Sequence, residues 1–197
     1  NVAVGTSAGA TINTGTNNVL LGTSAGQRMT SAVKNVAVGN LALDHLTNAD
    51  FNVAVGHEAL TADTLGSKST AIGYQALLAQ TYGTTATDSH NVALGYSAGL
   101  SITSGVQNVI IGSAAGDAAT TPDTCTIIGY QACGDGVLTG NKNTVIGGNA
   151  GLSLTETRDS VIIGNNAVDA DTKGWATTAV GYFAGGAQNF TSGTDGD

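Results

Sequence analysis

Three histidines, two cysteines and fourteen acidic residues are the side chains of this 197-residue chain best suited to acid–base, nucleophilic or metal chemistry. Metal binding by histidine in a repetitive chain requires the ligands to fall at equivalent places. His45, His57 and His90 instead lie six after, one after and five before the nearest copy of a recurring glycine. They therefore form no common column and read as solvated loop residues. Acidic turns at Asp169-Ala170-Asp171, Gly134-Asp135-Gly136 and Asp195-Gly196-Asp197 offer oxygen ligands of the kind calcium takes. The Gly-Gly-x-Gly-x-Asp nonapeptide of calcium-binding repeats does not occur, so these read as hydrated turns. The glycine-rich stretches contain no Gly-x-x-x-x-Gly-Lys-Ser/Thr and build no phosphate loop. No catalytic residue, metal ligand or cofactor is expected, and the chain reads as a non-enzyme.

Other chemistry-bearing residues suggest contact. Tyr74, Tyr96, Tyr130 and Tyr182 each directly follow a recurring glycine. Such a column either packs against its turns or contacts glycans and protein partners. Asn189-Phe190-Thr191 is an N-glycosylation sequon, which makes Asn189 a candidate modification site. Cys125 and Cys133, eight residues apart, read as small buried hydrophobes, with a disulfide between them as the alternative. A net charge of −8 disfavours a grip on nucleic-acid phosphate. No apolar run approaches the roughly 20 residues of a membrane helix. The chain starts at Asn1 with neither an initiator methionine nor a signal-like segment, and reads as a mature or excised piece.

The elements that position these residues are set by an internal repeat. Asn1-Val2-Ala3-Val4-Gly5 returns as Asn18-Val19-Leu20-Leu21-Gly22, Asn35-Val36-Ala37-Val38-Gly39 and Asn52-Val53-Ala54-Val55-Gly56. The anchor glycines are Gly5, Gly22, Gly39, Gly56, Gly73, Gly95, Gly112, Gly129, Gly147, Gly164 and Gly181, with steps of 17 residues except for one of 22 and one of 18. Three residues after each stands an alanine: Ala8, Ala25, Ala42, Ala59, Ala76, Ala98, Ala115, Ala132, Ala150, Ala167 and Ala184. Four before each stands Asn in seven copies, replaced by Ser69, Cys125, Ser160 and Thr177 in the others.

A 17-residue unit is too short for a helical hairpin repeat, and its apolar residues alternate at period two. The prediction is an all-β parallel solenoid of eleven coils, each with two short strands and two turns. At about 4.8 Å per coil its length is about 50 Å. The anchor Gly should end a strand, the Ala should fill a tight site repeated in every layer, and the Asn column should hydrogen-bond from coil to coil. In Val2-Ala3-Val4 or Val109-Ile110-Ile111 the outer residues point to one face and the middle one to the other, and both faces are apolar. A coil has one interior, so the second face needs a cover, most simply another copy of the chain.

The Asn-Val-Ala-Val-Gly-x-x-Ala unit resembles the YadA-like head repeats of trimeric autotransporter adhesins over residues 1–185, and similar repeats occur in bacteriophage tail fibres. The resemblance implies a left-handed β-roll and a homotrimer with this strand facing the three-fold axis. The longer unit of this chain predicts longer outer loops. The hexapeptide period of left-handed β-helix acyltransferases, the enzymatic alternative, is absent.

Residues 79–90 supply the additional length of the 22-residue step and are expected to project as a longer outer loop. Residues 186–197 read as an outgoing loop. A further copy following Asp197 would place its anchor 21 residues beyond Gly181, an ordinary long coil. That spacing suggests either continuation into another coil or copy, end to end, or a neighbouring domain. The function implied is a fibrous structural and adhesive element of an extracellular filament, cell-surface fibre or virion, the alternative being a phage tail-fibre segment that binds a host receptor. Expected partners are further copies of the chain and a glycan or cell-surface receptor, without nucleic acid or a membrane span.

Overall fold

The computed structural model describes residues 1–169 and 173–186. Its strands are β1 (Val2–Val4), β2 (Val19–Leu21), β3 (Val36–Val38), β4 (Val53–Val55), β5 (Gly66–Ser67), β6 (Thr70–Ile72), β7 (Thr87–Asp88), β8 (Val92–Leu94), β9 (Val109–Ile111), β10 (Thr126–Ile128), β11 (Thr144–Ile146), β12 (Val161–Ile163) and β13 (Thr178–Val180). All but β5 and β7 form one parallel sheet of eleven strands in chain order. Register follows the repeat: Val2 pairs Val19, which pairs Val36, and so on to Val161 with Thr178. The chain is a parallel β-solenoid, as its period implies.

One expectation is corrected. Most coils carry one three-residue strand, not two, and among the described residues the second pairing is confined to β5 with β7 and an isolated bridge between Arg158 and Trp175. Backbone handedness shapes the turn that follows each anchor. The residue two after every anchor has a positive φ, from Ser7 (59°) to Phe183 (55°), and so does the residue four after it, either a glycine such as Gly26 or a side chain such as Leu43 (54°). Left-handed residues at alternate positions cannot extend as a strand, so the chain steps round in short turns. Their amides still reach the neighbouring coil, as Gly26 N–H does to Ala42 O at 2.9 Å and Leu43 N–H to Ala59 O at 3.1 Å.

The core is assembled from columns. The middle strand residue is buried in every coil from Leu20 to Ala179, as are the post-anchor alanines from Ala25 to Ala167. Ala8 and Ala184, in the first and last coils, are half-buried. A further column, four after the anchor, complements the middle strand position in size in six coils, though not in others such as Ala93 with Gly99 or Ile162 with Val168. Ala37, Ala54 and Ala71 accompany Leu43, Leu60 and Leu77, whereas Leu20, Ile110 and Val145 accompany Gly26, Gly116 and Gly151. At Gly26 a Cβ would lie 2.9 Å from both Leu20 Cδ2 and Met29 Sδ, so the glycine makes room for the larger neighbours.

Candidate interaction surfaces

The anchor glycines are required twice over. Their φ of +131° to +144° lies where side chains are strained. Between neighbouring coils the backbones also approach closely: a Cβ at Gly5 would lie 2.5 Å from Gly22 O, and those at Gly22 to Gly164 would likewise meet the next anchor's carbonyl. The glycine column thereby lets successive strand ends stack.

The Asn column works chiefly through the backbone. Asn18 Oδ1 accepts the Asn35 N–H at 2.9 Å, Asn35 Oδ1 accepts that of Asn52 at 2.9 Å, and each carboxamide N–H donates to a carbonyl of the adjoining turn, such as Asn35 Nδ2 to Ala49 O at 2.9 Å. Direct amide contacts are longer, 3.2 Å from Asn35 Nδ2 to Asn18 Oδ1. The substitutes keep an acceptor in place: Ser160 Oγ receives the Thr177 N–H at 3.0 Å, and Cys125 Sγ that of Asn143 at 3.4 Å. Cys125 is thus a rung of the ladder as well as a buried side chain. Cys125 and Cys133 are both free thiols, and burial raises the pKa of each.

A buried polar cluster spans the 22-residue step and the coil before it, where neighbouring coils place apolar residues. Asp63 and Gln80 occupy the position seven after the anchor, filled by Met29, Leu46 and Ile102 in other coils. Asp63 accepts the Gly66 N–H at 2.8 Å and Gln80 Nε2 at 2.6 Å. Gln80 Oε1 accepts Asn91 Nδ2 at 2.9 Å, Ser69 and Ser89 hydroxyls meet at 2.7 Å, and Tyr82 OH donates to Gly105 O at 2.9 Å. Burial raises the Asp63 pKa above its ordinary 3.8, against the lowering effect of its hydrogen bonds, and also pushes the Tyr82 phenol upward. The 79–90 segment is therefore not simply an outer loop, since Gln80 and Ser89 are fully buried.

Two surfaces remain outside. The first is the outward face of the long sheet, carrying the two outer residues of each strand. Val4, Leu21, Ile72, Leu94 and Val180 are exposed there, and the intervening coils place partly exposed Val or Ile in the same column. The second borders it at the position just after the anchor. Tyr74, Tyr96, Tyr130 and Tyr182 are 40, 59, 59 and 73% exposed, so the aromatic column is not buried in its turns. His57 stacks on Tyr74 at 5.3 Å and Tyr74 on Tyr96 at 5.0 Å.

The histidines remain apart. His57 Nδ1 lies 3.6 Å from Glu58 and His45 Nε2 3.4 Å from Asp44, and no cluster of three metal-ligating side chains occurs among the described residues. Asn189, Asp171 and Asp195–Asp197 lie outside the described residues. No described helix is long and apolar enough to cross a membrane. The chain matches no protein-family model, no curated protein and no solved structure.

Proposed function

We propose that this protein is a non-enzymatic module of an extracellular or virion fibre, a stiff β-roll that associates with further copies of itself. The observation that carries the reading is the outward apolar face, which follows the whole eleven-strand sheet. An extended apolar strip of this kind is costly to leave in water and characteristic of an interaction site. The third strand position is Val, Leu or Ile in every coil, and the first is Val except for Thr70, Thr126, Thr144 and Thr178, so a parallel copy finds an apolar column at each level. The resemblance to YadA-like head repeats makes the assembly a left-handed homotrimer with this face on the three-fold axis. In such a fibre the repeated columns supply stiffness, and the variable turns and aromatic border supply adhesion to a glycan or cell-surface receptor. In this reading the same ladder, its register unchanged from strand to strand, continues end to end from copy to copy.

Sedimentation equilibrium tests the association. The wild-type chain should sediment at three times its mass of 19.3 kDa, and Leu94→Lys, on the outward face, should shift it toward monomer with unchanged β circular dichroism. A wild-type monomer at concentrations well above micromolar would overturn the trimer. Electron cryomicroscopy of native material should show coil stacking that passes from chain to chain; discrete particles would remove end-to-end growth.

A further inference from the structure

Most rungs of the column after the anchor carry no phenol, but coils five and six place two in register. The rings of Tyr74 and Tyr96 have centroids 5.0 Å apart and planes 7° from parallel, and both side chains are open to solvent, at 40 and 59% exposure. They project from adjacent rungs held by strands β6 and β8, which pair Ile72 with Leu94 just before the two anchors. Tyr74 is backed on its other side by His57, at 5.3 Å and 8°. The two rings are thus held together by the backbone ladder and not by a chance meeting of flexible side chains. Tyr130 and Tyr182 provide a comparison within the same molecule. They are at least as exposed as Tyr96, but Ser113 separates Tyr130 from Tyr96, while Gly148 and Asn165 separate it from Tyr182.

The geometry points to an oxidative cross-linking site, Tyr74 with Tyr96, at which a peroxidase and hydrogen peroxide form an intrachain dityrosine. Each phenol gives up one electron and its hydroxyl proton, and the two electrons and two protons reduce one peroxide to two waters. The two phenoxyl radicals couple through ring carbons ortho to oxygen. The hydrogens on those carbons then move to the oxygens, restoring both phenols. The separation of the stacked rings is already close to that of two directly joined rings, so coupling asks for side-chain rotation and leaves the coils in place. The product is a covalent rung across the 22-residue step, the longest span of chain between successive strand ends. It closes a loop in the unfolded chain and fastens coils five and six, which hold Gln80, Ser89 and Asn91 of the buried polar cluster.

The experiment treats the full chain with a haem peroxidase and limiting hydrogen peroxide over a range of protein concentrations, reading dityrosine fluorescence and mapping linked peptides by mass spectrometry. The expected main product joins Tyr74 to Tyr96 within one chain, in a yield independent of protein concentration. Tyr74→Phe and Tyr96→Phe, which keep a stacked ring, should each abolish it, whereas Tyr130→Phe should leave it unchanged. The linked protein should also melt at a higher temperature than the untreated protein. Absence of the linkage would overturn the proposal. So would a product dominated by links between chains, or links spread evenly over Tyr130 and Tyr182. The expected link does not depend on the trimer, because the two rings belong to one chain.

Discussion

Thr124 occupies a left-handed conformation with φ +59°, a poor choice for a β-branched residue, and its side chain is exposed. The equivalent position holds Asn17 in the first repeat, where the short carboxamide tolerates this backbone. Thr124→Asn should therefore stabilise the fold by about 0.5–1 kcal/mol, read as a higher urea midpoint at an unchanged slope. Asp63 gives a pH signature of defined sign. Its pKa is raised in the folded state, so its contribution is most favourable below the unfolded carboxyl value and is lost as pH rises through the folded one. The stability of wild type relative to Asp63→Asn should fall with rising pH across that window and then level off. Urea melts over a pH series measure this difference, and carbon-detected titration should place the Asp63 midpoint above 3.8.

At the scale of the element, the strand is short and gains its place from the residues at its two ends. Asn35 receives the Asn52 amide and donates to the carbonyls of Ala49 and Val33, with a longer contact to Asn18 Oδ1, in a fully buried site. Asn35→Ala leaves at least the Asn52 amide and the Ala49 carbonyl without it and should cost about 2–6 kcal/mol, since each orphaned buried group costs about 1–3 kcal/mol. Asn35→Ser should cost less, because a serine hydroxyl already serves as the acceptor at Ser160. Chemical denaturation of both variants supplies the comparison. The repeated Asn announced this ladder in the sequence, and Cys125 was legible there only as an exception. That its sulfur accepts an amide hydrogen bond became visible once coil positions could be superposed in space.

Across the whole molecule, each coil contacts chiefly its neighbours, so stability is distributed along the stack and not centred in one globular core. In the unpolymerised chain amide exchange should accordingly be slowest in β3, β4, β9 and β10 and faster in β1 and β13, which among the described residues have a paired strand on one side only. Hydrogen-exchange mass spectrometry tests the gradient, and uniform protection from end to end would show a single cooperative unit. The buried Asp63–Gln80 pair makes coils four to six the place to look for an internal departure from that gradient. Association through the outward sheet face would add protection evenly along the eleven strands without removing the difference between centre and edge.

The sequence by itself determined the repeat, the solenoid class, the parallel register and the two-sided apolar strand. All of these follow from a fixed step and a period-two alternation, which leave a stack of coils as the arrangement that satisfies every copy at once. The anchor Gly, the post-anchor Ala and the Asn column were also legible, because a site repeated in every layer imposes the same residue each time. Tertiary structure alone decided what depends on backbone handedness and on contacts between non-identical layers. It left most coils with a single strand, set left-handed turns after each anchor, and buried Gln80 and Ser89 within a segment that read as an outer loop. It also brought Tyr74 and Tyr96, 22 residues apart in the chain, to 5.0 Å in space. The size complementarity of Ala37 with Leu43 and Leu20 with Gly26 was present in the sequence, but it acquires meaning only when both columns are seen to share one interior.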